Sequence, residues 1–251
     1  MSRHALITGA GTGIGAAISR QLHSDGCSLS LMGRRLEPLE ALAEQLGHSC
    51  RVITGDVTDR ESVESAFIQA SESFGHVEIL INCAGIAPTA PFHRIEFSDW
   101  QNTMDVNLNG VFHCTQVALG NMKIAGWGRI VTIASTASLK GFPYVSGYCA
   151  SKHAALGLTR ALALETAQQG ITVNAVCPGY VDTDIVREAI QEIMTKTGRS
   201  EAEALQHFTE SNPQGRLIEA TEVAASVSWL CSDSAASVTG QAIAIDGGST
   251  A

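Results

Sequence analysis

The segment Tyr148-Cys149-Ala150-Ser151-Lys152 sets a phenol and an ammonium four residues apart. On a helix, positions i and i+4 share a face, so both groups project into one space. Of the three tyrosines, Tyr144 meets another tyrosine in that register, Tyr180 meets Asp184, and Tyr148 alone meets a cation. A phenol titrates near pH ~10 and is a reluctant base at neutrality. A cation ~4 Å away, at an effective dielectric near 20, supplies at most about 4 kcal/mol, or about three pKa units. A phenol tuned in this way gives a proton to a ketone oxygen as hydride arrives, or takes one from an alcohol in reverse, contributing ~10²- to 10⁴-fold. Ser135, upstream, can hydrogen-bond the same oxygen. An isolated Y-x-x-x-K pair is a weak motif that more often reads as a surface pair on an amphipathic helix, so the surrounding elements decide between the two.

Those elements alternate. Apolar, β-branched runs at 5–7, 28–32, 51–54, 78–81, 129–134, 171–176 and 242–245 imply seven strands. Helical spacing fills the gaps, as in Ile14, Ile18, Gln21 and Leu22, or Leu36, Leu39, Leu42 and Leu46. Near-continuously apolar strands between helices predict a parallel sheet covered on both faces, a doubly wound α/β fold in one domain spanning 1–251. Residues 184–213 interrupt the rhythm before a helix near 221–231. Ile185, Ala189 and Ile193 share a helical face there, Gly198 stops the helix, and Ser200 with Glu203 makes a capping box for a second one. The pair reads as a lid over the sheet, or as packing or oligomer-forming helices.

Ligands of an open parallel sheet bind beyond the carboxyl ends of its strands. After the first strand, Thr8-Gly9-Ala10-Gly11-Thr12-Gly13-Ile14-Gly15 opens a helix, so backbone N–H groups and the helix dipole face a pyrophosphate; Gly9, Thr12, Gly13, Ile14 and Gly15 are the candidate contacts. After the second strand stand Arg34 and Arg35, where an NAD site places a carboxylate on the ribose. Arginine suits a 2′-phosphate, which favours NADP(H) and leaves NAD(H) open, since Glu37 is close by and Thr12 is not a second basic residue. Asp56 and Val57 follow the third strand, placed to meet adenine; Asn82, Ala84 and Gly85 follow the fourth, placed beside a ribose. Ser135 follows the fifth, ahead of Tyr148 and Lys152, which complete the cofactor set as well as the acid/base set.

Composition narrows the partners. The 251 residues carry 16 Lys+Arg against 25 Asp+Glu, a net charge of -9 that repels nucleic acid and sets Arg34-Arg35 apart as a local basic site. Seven cysteines form no C-x-x-C pair and the histidines show no ligand spacing, so no metal is expected and the thiols read as reduced. No stretch approaches the ~18 to 20 apolar residues of a membrane span and no signal-peptide core is present, so a soluble cytoplasmic protein is expected.

Together these motifs resemble the short-chain dehydrogenase/reductase family from about Arg3 to Gly248: T-G-x-x-x-G-x-G at Thr8–Gly15, Y-x-x-x-K at Tyr148–Lys152, and a serine at Ser135. The resemblance implies that Asn107 belongs to the catalytic set, holding a water that links the lysine to a proton relay. It also implies that Pro178, Gly179, Val181 and Thr183 contact the nicotinamide side, that Asn82 faces the cofactor, and that the chain assembles as a homotetramer or homodimer through 221–251. The family's N-N-A-G reads Asn82-Cys83-Ala84-Gly85 here, a change expected to act on sheet packing. Gln214-Gly215-Arg216-Leu217 resembles 3-oxoacyl-thioester reductases, polyketide ketoreductases and 3-hydroxybutyrate dehydrogenases. The expected function is an NAD(P)(H)-dependent interconversion of a small-molecule ketone and a secondary alcohol. A non-catalytic nucleotide sensor and a methyltransferase reading the glycine turn are the alternatives. Arg94, Lys140 and Arg187 read as solvated, or as contacts for an acidic or CoA-bearing substrate.

Overall fold

The computed structural model describes residues 3–251, so the first two positions of the expected 1–251 domain lie outside it. All seven expected strands form: β1 His4–Thr8, β2 Ser28–Gly33, β3 Cys50–Thr54, β4 Ile79–Asn82, β5 Gly128–Ile133, β6 Ile171–Pro178 and β7 Ala242–Ile245. They make one sheet in the order β3-β2-β1-β4-β5-β6-β7, every neighbouring pair parallel. The order reverses between β1 and β4, and at such a switch point the connections leave in opposite directions and open a crevice.

Strand side chains alternate between two helical layers. Ile7, Leu31, Ile81 and Val131 face α1 (Gly13–Ser24), α2 (Leu36–Leu46) and α9 (Ala220–Cys231), meeting Ile18, Leu22, Leu39, Val223 and Leu230. Leu6, Met32, Leu80 and Ile130 face the opposite way, against α3 (Arg60–Phe74), α5 (Gly110–Ala125) and α6 (Ser146–Thr166), meeting Phe67, Cys114, Met122 and Ala163. Leu36, expected on the buried stripe of α2, is 46% exposed, because the stripe settles on Leu39 and Leu42. Before α5, the short helix α4 (Phe97–Met104) runs into a π-helical turn at Asp105–Asn109. Such a turn widens the helix by one residue and is often built around function.

The insertion folds as α7 (Asp184–Thr197) and α8 (Glu201–Thr209), with Gly198 left-handed between them and the Ser200–Glu203 capping box present. Its apolar face differs from expectation at one end. Ile190, Ala204 and Phe208 form its core with Val186, Ala189 and Ile193 against them, while Ile185 is 72% exposed. The contact with α8 is centred on Ile190, which turns Ile185 to the outer rim. Among the described residues no helix is long and apolar enough to cross a membrane.

Candidate active site

The glycine turn is built for close approach. A Cβ on Gly15 would lie 2.1 Å from the Gly9 carbonyl oxygen, so only glycine lets the turn close on the start of α1. Gly13 has φ of 51°, and a Cβ there would reach within 3.2 Å of Thr183 Cγ2. That contact places Thr183, which precedes α7, directly across from the turn. Thr12 caps α1 without a side-chain hydrogen bond, and the first turn holds no acidic residue, so the helix N-terminus is open to an anion. The Thr8 hydroxyl accepts the N–H groups of Cys83 and Ala84 at 3.0 and 3.1 Å, tying the β1 turn to the β4 turn. Cys83 thus sits in the packing between these turns, where burial pushes its thiol up to about 12. A cradle of this shape fits a dinucleotide pyrophosphate.

Arg34 and Arg35 are exposed at the end of β2. Arg34 Nη1 lies 3.9 Å from Asp56 Oδ2, while Asp56 Oδ1 accepts the N–H and hydroxyl of Thr58 at 3.0 and 2.9 Å. The Arg34–Asp56 pair is thus loose and solvent-exposed, and Val57, next in the chain, is buried. The Asn82 side chain departs from its expected direction. It is 3% exposed and donates to Thr115 Oγ1 at 3.1 Å, so it anchors β4 to α5 and leaves the cleft to the main chain of Ala84 and Gly85. Pro178 ends β6, Gly179 donates its N–H to Ile245 at 3.0 Å, and Val181 is buried on a bridge to Ile218.

The acid/base residues converge between β5 and α6. Ser135 caps a short 3-10 turn, accepting the Ala137 N–H at 3.1 Å, and its side chain lies beside the Tyr148 phenol. Lys152 is 5% exposed, donates to the Ile133 carbonyl at 2.8 Å, and stands 5.6 Å from the Tyr148 ring centroid. Burial pulls its ammonium down to about 8. Burial also raises the Tyr148 phenol, opposed by the Ser135 hydroxyl. The downward shift expected from a cation ~4 Å away is outweighed by burial, and the ammonium is turned to the Ile133 carbonyl. Asn107 is fully buried in the π-helical turn. Its Oδ1 accepts the Ile86 N–H, and its Nδ2 donates to the Ile86 carbonyl and to Ser151 Oγ, all at 2.9 to 3.0 Å. A Cβ on Gly85 would sit 3.3 Å from Asn107 Oδ1 and 3.6 Å from Lys152 Nζ, so the β4 turn abuts both.

Where the β5–α6 connection, the end of β6 and α8 meet lies a narrow recess of ≈ 10 Å³ walled by Thr136, Phe142, Tyr180, Phe208, Asn212 and Arg216. Tyr180 and Phe208 meet edge to face at 5.1 Å, which seats α8 over the end of β6. A roomier hollow of ≈ 290 Å³ opens at the other end of the sheet around Trp127, Arg129 and Asp233. Neither the recess nor the hollow is lined by Ser135, Tyr148 or Lys152, so cavity size does not locate the chemistry. The expectation of solvated cations holds for Arg187, whose side chain is 67% exposed, and fails for Lys140. Arg187 pairs with both oxygens of Asp182 at 2.8 and 3.0 Å, and Lys140 donates to the Ser249 carbonyl at 2.6 Å. The Lys140 bond, the Asn107–Ser151 bond and the Thr115 anchor had no signal in spacing, since each joins elements distant in the chain.

A parallel sheet with a glycine cradle at its switch point and a Ser-Tyr-Lys cluster across the crevice defines a nucleotide-dependent oxidoreductase. The short chain dehydrogenase family model matches residues 3–193, and the chain belongs to that family. It is 34% identical over 257 residues to D-beta-hydroxybutyrate dehydrogenase of Rhizobium meliloti (strain 1021), covering 100% of both. Among solved structures it is similar to a variant of actinorhodin polyketide ketoreductase with NADPH, with a TM-score of 0.95, 37% identity and 99% and 97% of the two chains covered. It is also similar to a 3-ketoacyl-(acyl-carrier-protein) reductase from Brucella melitensis complexed with NADH, with a TM-score of 0.89, 29% identity and 99% and 98% covered. The chain is an NAD(P)(H)-dependent oxidoreductase of the C=O/CH–OH couple.

Proposed function

We propose that the chain interconverts a ketone and a secondary alcohol, with Tyr148 as acid/base, Ser135 as hydrogen-bond donor to the same oxygen, Lys152 as the cation behind the phenol and Asn107 as the residue that holds the π-helical turn in place. One observation carries this reading: the Lys152 ammonium stands 5.6 Å from the ring centroid of the buried Tyr148, with Ser135 beside the phenol. A protonated phenol is the form that donates to a ketone oxygen. A bound nicotinamide supplies the hydride and accepts it in reverse. Gly9, Thr12, Gly13, Ile14 and Gly15 would hold its pyrophosphate, Asp56, Val57, Ala84 and Gly85 the adenosine half, and Lys152, Pro178, Gly179, Val181 and Thr183 the nicotinamide half.

Arg34, with Arg35 beside it, favours NADP(H), because an exposed guanidinium at the end of β2 matches a 2′-phosphate. Helices α7 and α8 act as the substrate lid, and their apolar walls with Arg216 suit a 3-oxoacyl or 3-hydroxyacyl type of substrate. A homotetramer, or a homodimer, is supported by large exposed apolar residues on α5, α6 and α9: Phe112, Leu164 and Trp229 at 44%, 83% and 43%. Seven free cysteines suit the reducing cytoplasm. The test is nicotinamide absorbance over a panel of ketones and alcohols, with Tyr148→Phe alongside. Turnover that depends on Tyr148 is expected; retained turnover in the variant would refute the assignment.

A further inference from the structure

The connection from Ser135 to α6 does more than carry the acid/base serine. Lys140 leaves it to reach the segment after β7, donating to the Ser249 carbonyl at 2.6 Å and to Ser249 Oγ at 3.2 Å. That segment is a preformed turn. Asp246, 6% exposed, accepts the Gly248 N–H at 3.0 Å and the Thr250 hydroxyl at 2.6 Å. The turn in turn bears on the exit of the lid. Gly247 is so close to Asn212 that a Cβ would fall 1.9 Å from its Oδ1, and a Cβ on Gly248 would fall 3.5 Å from Pro213. Asn212 is itself 8% exposed and fixed, accepting the Gln214 N–H at 2.9 Å and donating to the Arg216 carbonyl at 2.7 Å. Asn212, Asp246 and Ser249 all line the recess beside Tyr180 and Phe208.

We propose that Lys140 is a positioning residue that sets substrate specificity: its ammonium clamps the turn 246–251 against Asn212 and so fixes where the base of the lid stands over the substrate recess. The clamp ties one wall that descends from Ser135 to the opposite wall that descends from α8. Release of the ammonium frees the turn, the turn frees Asn212, and the recess widens. The specificity half of the proposal rests on the reading of this recess as the ketone pocket; the mechanical half does not.

Lys140→Met keeps the aliphatic stem and removes the donor. Trypsin should then cut after Lys196 or Arg199, exposed at the α7–α8 connection, about tenfold faster than in the wild type, since one hydrogen bond from a charged group commonly governs that much of an equilibrium. Cleavage after Arg20 on α1 should not change, and Lys140→Arg should restore the slow rate. Deletion of residues 249–251 removes the acceptor while keeping Lys140, and should speed lid cleavage in the same way. The kcat/KM ratio for cyclohexanone over 1-tetralone should fall about tenfold in Lys140→Met, as a widened wall admits the bulkier ketone. Unchanged lid cleavage in both variants, or equal acceleration at Arg20, overturns the clamp; faster lid cleavage with an unchanged ratio overturns its role in specificity. A wild type that turns over no ketone refutes the proposed reaction instead, and the proteolysis still decides the clamp.

Discussion

Lys152 stands 5.6 Å from the Tyr148 ring centroid with its ammonium directed to the Ile133 carbonyl. The pair is thus arranged as a protonated phenol beside a cation that burial holds at about 8, rather than as a phenolate in contact with an ammonium. Tyr148→Phe should lower ketone reduction by ~10²- to 10⁴-fold. The Kd for NADPH, measured by fluorescence titration, should stay unchanged, because the ring and its packing remain. A parallel loss of nucleotide affinity would show that the hydroxyl binds cofactor instead.

Lys152 also links pH to stability. Its pKa is depressed from 10.5 to about 8, so below that pH the fold pays for a buried charge. Between the two values the unfolded chain binds the extra proton, and stability rises with pH across that window. Relative to Lys152→Met, the wild type should gain roughly 1 to 3 kcal/mol between pH ~7.5 and ~10.5 in urea titrations. A difference that does not vary with pH would mean the ammonium is solvated in the fold.

Arg34→Asp removes the guanidinium and sets a carboxylate beside Asp56. The kcat/KM ratio of NADPH over NADH should fall by tens-fold or more, reflecting about 1.5 to 3 kcal/mol for a charged hydrogen bond. An unchanged ratio would remove Arg34 from the discrimination.

Gly15→Ala places a methyl where the Gly9 carbonyl stands. Overpacking of this kind costs about 1 to 3 kcal/mol, and here the obstacle is backbone. A fall in Tm together with weaker nucleotide binding is expected; normal affinity would show that the turn can open without loss.

Asn107→Ala breaks three hydrogen bonds, one buried and two partly buried, that join the β4 turn, the π-helical turn and α6. The Ile86 N–H and carbonyl and the Ser151 hydroxyl lose a partner, and a buried group left unpaired costs about 1 to 3 kcal/mol. Chemical denaturation should show at least one such loss, and retained stability would locate the role of Asn107 in catalysis alone.

The strands were legible because each is a largely apolar run framed by turns, and parallel strands buried on both faces leave that pattern plainly. The glycine turn and the Tyr148–Lys152 register were legible for the same local reason. What spacing does not encode is direction. The i+4 rule brought Lys152 to the correct face of α6, yet its ammonium follows the free Ile133 carbonyl rather than the phenol. Asn82 lies at the correct strand end, while Thr115, distant in sequence, draws its side chain inward. Ile185 sits in register with Ala189 and Ile193, but the position of α8 selects Ile190 as the centre of the contact.

The strand order has a consequence for how the enzyme can be altered. β1 pairs with β2 on one edge and with β4 on the other, so the glycine turn, Arg34 and Asp56 come from the part of the chain before α3, whereas Asn107, Ser135, Tyr148 and Lys152 come from the part after β4. The two groups meet across a seam of Ala5, Leu6 and Ile7 against Ile79, Leu80 and Ile81. A chimaera that exchanges only the first segment would therefore transplant the glycine turn, Arg34 and Asp56 together, and leave the reacting groups, the β4 turn and the 178–183 contacts in their original surroundings.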